Sequence, residues 1–182
     1  MSGESPEEHV RNVVRRFADT LHVRMPGLRF VKSASGPCYE ALSNRIDIDE
    51  RTLNLPEPLL RIVLAHEVAH VTQRRKMLLD FALTGIGVTA LIAVPCAVFA
   101  ASAEREIWRI SLPGLVFVLA YIAYRRHLSQ RTMKLELDAD AKAAQICGAS
   151  DALQAMEAMA QRVYIEPARL DAMRTLARTS SY

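Results

Sequence analysis

The chain has 182 residues, enough for one core of ordinary size, and its hydrophobic share of 51% is slightly high for a soluble domain. The net charge is only +3, and basic clusters at 74–76 and 125–127 flank long apolar runs. That position suits anionic lipid headgroups and argues against nucleic acid as a partner. Cys38, Cys96 and Cys147 are too scattered and odd in number for a disulfide framework, which favours a reducing compartment.

The sequence predicts an N-terminal helix. Ser5 is a suitable N-cap, Pro6 fits the first turn, and Glu8 completes a capping box. Apolar residues recur at helical spacing as far as Leu21, so residues 6–21 are predicted to form an amphipathic helix. No signal peptide is recognisable before it, and we expect a folded start on the cytoplasmic side.

Strand-like runs follow at residues 28–32, 38–42 and 45–49, with Asn44 marking the turn before the last. The last run alternates apolar and charged residues, as a half-buried strand does, and is predicted to lie at a sheet edge. An edge strand next to a metal-binding helix is a place where an extended peptide can dock. The pattern is equally compatible with an edge strand whose charged side chains prevent pairing and which binds no peptide.

The segment His66-Glu67-Val68-Ala69-His70 is the most informative stretch of the chain. Residues 58–65 before it are apolar at helical spacing, so the motif is expected to lie inside a helix. Histidines at i and i+4 then share one face and can bind one Zn²⁺, while Glu67 is aimed at a water on that metal. This arrangement predicts peptide-bond hydrolysis. The alternative, surface histidines on an amphipathic helix, fits poorly with such apolar neighbours.

Two apolar runs predict a membrane hairpin. Residues 81–103 carry no charge and are long enough to cross ~30 Å of hydrocarbon. Residues 107–124 contain Arg109 and Pro113, and form the second predicted span after an acidic loop at 104–106. Lys and Arg crowd the outer ends, so the positive-inside rule puts both outer ends in the cytoplasm. A buried helical hairpin in a soluble protein is the alternative.

A zinc site of this type needs a third protein ligand. Residues 133–146 lack Gly and Pro and are predicted to be helical until Gly148. Glu136 and Asp140 share a face of that helix, so one can bind zinc while the other orients a ligand histidine. Asp138 points elsewhere. The residues alone leave open which of these acids is the ligand.

The motifs together resemble the integral-membrane zinc metallopeptidases typified by HtpX and the CAAX prenyl endopeptidases. The pattern of that family is an alternating strand, HExxH on a helix, membrane spans, and E-x-x-A-D on a second helix. Here it is matched by residues 46–49, by 64–70 and by 136–140. The resemblance implies that Glu136 is the third ligand of one zinc ion per chain, and that Asp140 is a partner of His66.

The chain departs from the family pattern in two ways. No span precedes the HExxH motif, and residues 166–170 occupy the place of a His-Pro pair and its Arg-containing helix without the histidine. The family's transition-state stabiliser therefore has no direct counterpart. Tyr164 and Arg169 are the candidates for that role, and a purely structural role is the alternative for each.

We therefore expect an α+β protein with a mostly helical, zincin-like catalytic domain and a small N-terminal β-sheet. Residues 1–76 and 127–182 are the halves of that domain, and residues 77–126 are the two-span hairpin. The predicted function is that of a zinc metalloendopeptidase of the gluzincin type. It acts on membrane-associated or misfolded polypeptides from the cytoplasmic face of the inner (plasma) membrane. A weakly catalytic zinc protein acting as an assembly or regulatory module is the alternative, and the oligomeric state stays open.

Overall fold

The computed structural model describes residues 5–32, 36–101 and 107–180. Most of these residues are helical, and three short strands form one small sheet. In chain order the elements are α1 (Pro6–Thr20), β1 (Gly27–Val31), β2 (Cys38–Glu40), β3 (Arg45–Asp49), α2 (Glu50–Leu53), α3 (Glu57–Thr72), α4 (Arg74–Ala101), α5 (Ile107–Cys147), α6 (Ala149–Ala160) and α7 (Pro167–Thr179).

The N-terminal helix forms as its sequence predicts. The Ser5 side chain accepts a hydrogen bond from the backbone N–H of Glu8 at 3.2 Å, and Pro6 occupies the first turn. The apolar face of α1 is buried through Val10, Val13, Val14, Phe17 and Ala18. This face packs against α3, so the helix covers one side of the motif helix.

The sheet has the order β1-β3-β2, with β3 parallel to β1 and antiparallel to β2. The prediction that residues 45–49 form an edge strand is therefore wrong, because β3 is the central strand. Its alternation arises from its two faces. Ile46 and Ile48 are fully buried on one face, whereas Asp47 on the other pairs with Arg29 of β1 and with Arg45. Arg45 and Asp47 thus lie on the more exposed face and not along a free edge, whereas Asp49 at the end of the strand is buried and accepts a hydrogen bond from the backbone N–H of Thr52.

Helix α3 occupies the centre of the packing. It contacts α1, β2 and α6, and it buries residues on nearly all of its faces, as expected for a helix surrounded by other elements. A second apolar cluster, Ala144, Ala152, Met156 and Met173, joins α5, α6 and α7. The motif residues are therefore carried on a well-supported helix.

Only α4, among the residues that the structure describes, has a stretch long and apolar enough by composition to cross a membrane. That stretch is Arg74–Val94, and none of it is buried. The first predicted span overlaps it. The second span and the hairpin remain predictions, and the predicted loop at 104–106 lies outside the described residues.

Helix α5 runs without interruption from Ile107 to Cys147, so the predicted helices 107–124 and 133–146 are parts of one helix. The segment that joins them contains neither Gly nor Pro. Gly148 ends the helix with a φ of 97°, as its position in the sequence predicts.

The chain divides into two units. One comprises Met1–Arg75 and Leu135–Tyr182, and the other is Lys76–Lys134. Within the second unit α4 and α5 are in contact. Arg131 pairs with Asp80 at 2.5 Å, and the Tyr124 hydroxyl donates to the Thr84 carbonyl at 3.4 Å.

Candidate metal centre

Helix α3 presents both motif histidines to the same point in space. The Nε2 atoms of His66 and His70 are 3.1 Å apart, and their rings meet edge to face with centroids 4.7 Å apart. This closeness follows from the i, i+4 spacing on a helix. Since each Nε2 is the atom that faces the other ring, these are the atoms available to a shared metal.

Glu136 on α5 meets the histidines from the other side. Its Oε2 lies 3.4 Å from Nε2 of His66, and its Oε1 lies 3.6 Å from Nε2 of His70. Ligands about 2.0–2.1 Å from a tetrahedral zinc are separated from one another by about 3.3 Å. The observed separations of 3.1–3.6 Å bracket that value, so His66, His70 and Glu136 fit one such ion.

Asp140, one turn after Glu136 on α5, orients the first histidine. Its Oδ1 lies 2.8 Å from Nδ1 of His66. Because a carboxylate accepts, His66 carries a proton on Nδ1, which leaves Nε2 for a metal. Burial opposes protonation of His66, but hydrogen bonds to Asp140 and Glu136 outweigh it and raise its pKa to about 9.

Arg169 on α7 joins the two carboxylates. Its Nε and Nη2 donate to the Asp140 oxygens at 2.7 Å each, and its Nη1 lies 3.0 Å from Oε2 of Glu136. The hydrogen bond to His66 lowers the pKa of Glu136, with further help from Arg169. Burial opposes ionisation of Asp140, yet hydrogen bonds from His66 and Arg169 hold its pKa below the usual value.

Glu67 lies next to His66 on α3 and is 7% exposed. Burial raises the pKa of its carboxyl, while the charge on His66 and a hydrogen bond from the backbone N–H of Tyr39 oppose the shift. A raised pKa suits a carboxylate that takes up a proton and then passes it on.

Three further residues were singled out in the sequence: Tyr164 and Arg169 as transition-state stabilisers and Asp138 as an alternative ligand. Tyr164 is 84% exposed in the segment before α7 and is not part of the cluster. Arg169 is in the cluster, but its guanidinium is occupied by carboxylates. Asp138 lies outside the metal cluster, with its Oδ2 2.9 Å from Nε2 of Gln73 and 2.8 Å from Nζ of Lys142.

One residue of this centre, Gln73, was not predicted from the sequence. Its Oε1 lies 3.1 Å from Nδ1 of His70, so the second histidine has an orienting partner as well. The available signal was the spacing: Gln73 follows His70 by three residues, which places both on one face at the end of the helix.

The sequence model of Peptidase family M48 matches residues 4–179, nearly the whole chain. No curated protein and no solved structure matches this chain.

Proposed function

Since the chain belongs to peptidase family M48, we propose that it is a zinc metalloendopeptidase anchored in the inner (plasma) membrane, with its site facing the cytoplasm. Family membership supports a metallopeptidase acting on polypeptides. The finer assignment rests on one observation, the convergence of His66, His70 and Glu136 next to Glu67.

His66, His70 and Glu136 would hold the metal, with Asp140 and Arg169 behind them. A zinc ion held there would lower the pKa of a bound water toward ~7 and polarise a scissile carbonyl. Glu67, buried next to His66, would serve as the general base that takes a proton from the attacking water and passes it to the leaving amine. A donor set of two imidazole nitrogens and one carboxylate, which would leave the fourth position of a tetrahedral zinc to water, is typical of catalytic rather than structural zinc sites.

The substrate is proposed to bind as an extended strand. Because β3 is the central strand, we place the docked peptide along β2 instead. β2 lies at an edge of the sheet and packs against α3. A peptide that pairs with a free strand edge gains main-chain hydrogen bonds that do not depend on its sequence. Broad recognition of this kind suits membrane-associated or misfolded polypeptides.

The bilayer is the second proposed partner. Residues 74–94 begin directly after the motif helix, and most of their large apolar side chains are exposed, among them Phe81, Ile86 and Ile92. Exposed apolar side chains on a long helix are stable only when something other than water covers them. We propose a two-span hairpin over residues 77–126, with no role for nucleic acid.

A weakly catalytic zinc protein that acts as an assembly or regulatory module is the second candidate. Its support is that neither predicted transition-state stabiliser is placed to contact a substrate carbonyl, since Arg169 is bound by carboxylates and Tyr164 is exposed outside the cluster. The presence of Glu67 argues against this second candidate, because a purely structural zinc site needs no general base.

Glu67→Gln separates the two candidates. The substitution keeps the size of the side chain but removes the base, so the purified protein in detergent should retain about one zinc per chain and lose casein cleavage or self-cleavage by at least ~10². Glu7→Gln, on the exposed face of α1, is the matched control and should cleave normally. Zinc bound by the wild-type chain without any cleavage would favour the module, and full activity of Glu67→Gln would refute the mechanism.

A further inference from the structure

Gln73 is an uncharged polar residue that is almost completely buried, with 1% of its surface exposed. It follows the last residue of α3 and caps that helix through its backbone N–H, which bonds to the His70 carbonyl at 2.9 Å. Its side-chain amide is fully engaged. Besides the contact with His70, the Nε2 atom donates to the Leu135 carbonyl at 3.0 Å and to Asp138 at 2.9 Å.

These partners determine which way the amide faces. A backbone carbonyl can only accept, so the nitrogen of Gln73 must point to Leu135 and its oxygen to His70. An amide oxygen can only accept as well, so Nδ1 of His70 carries the hydrogen. The lone pair of His70 then lies on Nε2, the atom that faces Glu136 and His66.

The same side chain also links the two helices that carry the proposed ligands. Leu135 and Asp138 lie on either side of Glu136 in α5, whereas His70 belongs to α3. Lys142 closes the network, because its Nζ donates to Asp138 at 2.8 Å and to the Thr72 hydroxyl at 2.7 Å. Moving α5 against α3 would break several of these bonds together.

We propose that Gln73 is a positioning residue for the metal centre: it selects the metal-binding tautomer of His70 and sets the distance from His70 to Glu136. The proposal rests on the zinc site described above and deepens it. Asp140 orients His66 with a negative charge, whereas Gln73 orients His70 without one. The neutral partner also donates to α5, which a carboxylate at this position would not do.

Metal binding tests this directly, with Zn²⁺ and Co²⁺ as probes and without reference to activity. Gln73→Met keeps the length of the side chain and removes the amide. We expect it to weaken Zn²⁺ affinity by roughly 10- to 100-fold in competition with a chromophoric chelator, as loss of an orienting partner does. The visible absorption of the Co²⁺-loaded protein should also change, because the tautomer and position of His70 are no longer held. Gln145→Met, on an exposed position of α5, is the matched control and should leave both readouts unchanged.

A double variant guards against simple misfolding. In Gln73→Glu with Asp138→Asn the new carboxylate still accepts from His70 and the new amide donates to that carboxylate, while the Leu135 carbonyl loses its donor. Two of the three bonds are restored, so Zn²⁺ affinity should recover most of the loss seen in Gln73→Met. If Gln73→Met binds Zn²⁺ normally with an unchanged Co²⁺ spectrum, or if the double variant binds as weakly as Gln73→Met, the proposal is overturned. Failure of the wild-type chain to bind zinc, or retention of zinc by His66→Ala, would instead overturn the proposed function.

Discussion

Arg169 donates two hydrogen bonds of 2.7 Å to the carboxylate of Asp140, and the third nitrogen of its guanidinium lies 3.0 Å from Glu136. Asp140 is nearly buried, so the pair is shielded from solvent. A two-pronged pair of this kind fixes the geometry of the carboxylate as well as its charge. α7 is thereby tied to the helix that carries the proposed third ligand.

This pairing predicts that Arg169 stabilises the centre and does not act on the substrate. Arg169→Met leaves Asp140 without the guanidinium that binds both of its oxygens, which should lower the free energy of unfolding by about 3 kcal/mol and weaken zinc binding. Arg174→Met removes a half-exposed arginine from the same helix and should cost less than about 1 kcal/mol. Chemical unfolding and chelator competition measure both effects. Normal stability and zinc binding combined with a large loss of kcat would instead make Arg169 a catalytic residue.

The ligand set predicts a graded response of zinc content. His66→Ala, His70→Ala and Glu136→Ala should each lose most of the metal, because each removes an atom that faces the common point. Asp140→Asn keeps a hydrogen-bonding side chain and should weaken affinity by roughly 10- to 100-fold. Metal analysis after dialysis against a chelator gives the ranking. An empty site in Asp140→Asn with a filled one in Glu136→Ala would mean that the two acids have exchanged roles.

The contact of α4 with α5 predicts a charge-reversal effect. Asp80→Arg places a second cation beside Arg131 and should reduce thermal stability in detergent, since the two side chains are within 2.5 Å in the native pair. Adding Arg131→Asp restores opposite charges and should recover most of the loss, with a coupling of up to about 1 kcal/mol for this partly exposed pair. If the losses of thermal stability from the two single substitutions simply add in the double variant, the ion pair does not hold α4 and α5 together.

The proposed hairpin predicts opposite accessibility for two engineered thiols. In a chain whose three native cysteines are replaced by serine, Ser102→Cys should react with an impermeant thiol reagent outside intact cells, and Ser150→Cys should not. The reason is that Glu136 reaches His66 and His70 only if the chain crosses the bilayer an even number of times between them. Labelling of Ser150→Cys alone would reverse the orientation, and labelling of both from outside would contradict the hairpin.

The local features of this fold could be read from the sequence because each depends on neighbours along one helix. The N-cap at Ser5, the apolar face of α1 and the end of α5 at Gly148 all formed as predicted. The spacing of His66 and His70 likewise guaranteed that the imidazoles share a face. The alternation of β3 predicted a strand with one buried face, but it could not place that strand, since central and edge strands of an open sheet show the same period.

By itself, then, the sequence determined the HExxH helix, the family resemblance and the presence of a long apolar segment, because these follow from residue types and short-range periodicity. Only the tertiary structure decided that β3 is central, that Glu136 lies opposite the histidines, that Arg169 joins the two acids, and that Gln73 faces His70 and α5. Apart from the local spacing of Gln73 and His70, each of these relationships connects separate helices or strands. Such contacts are set by how the apolar faces of α1, α3, α6 and α7 pack, which no local pattern encodes.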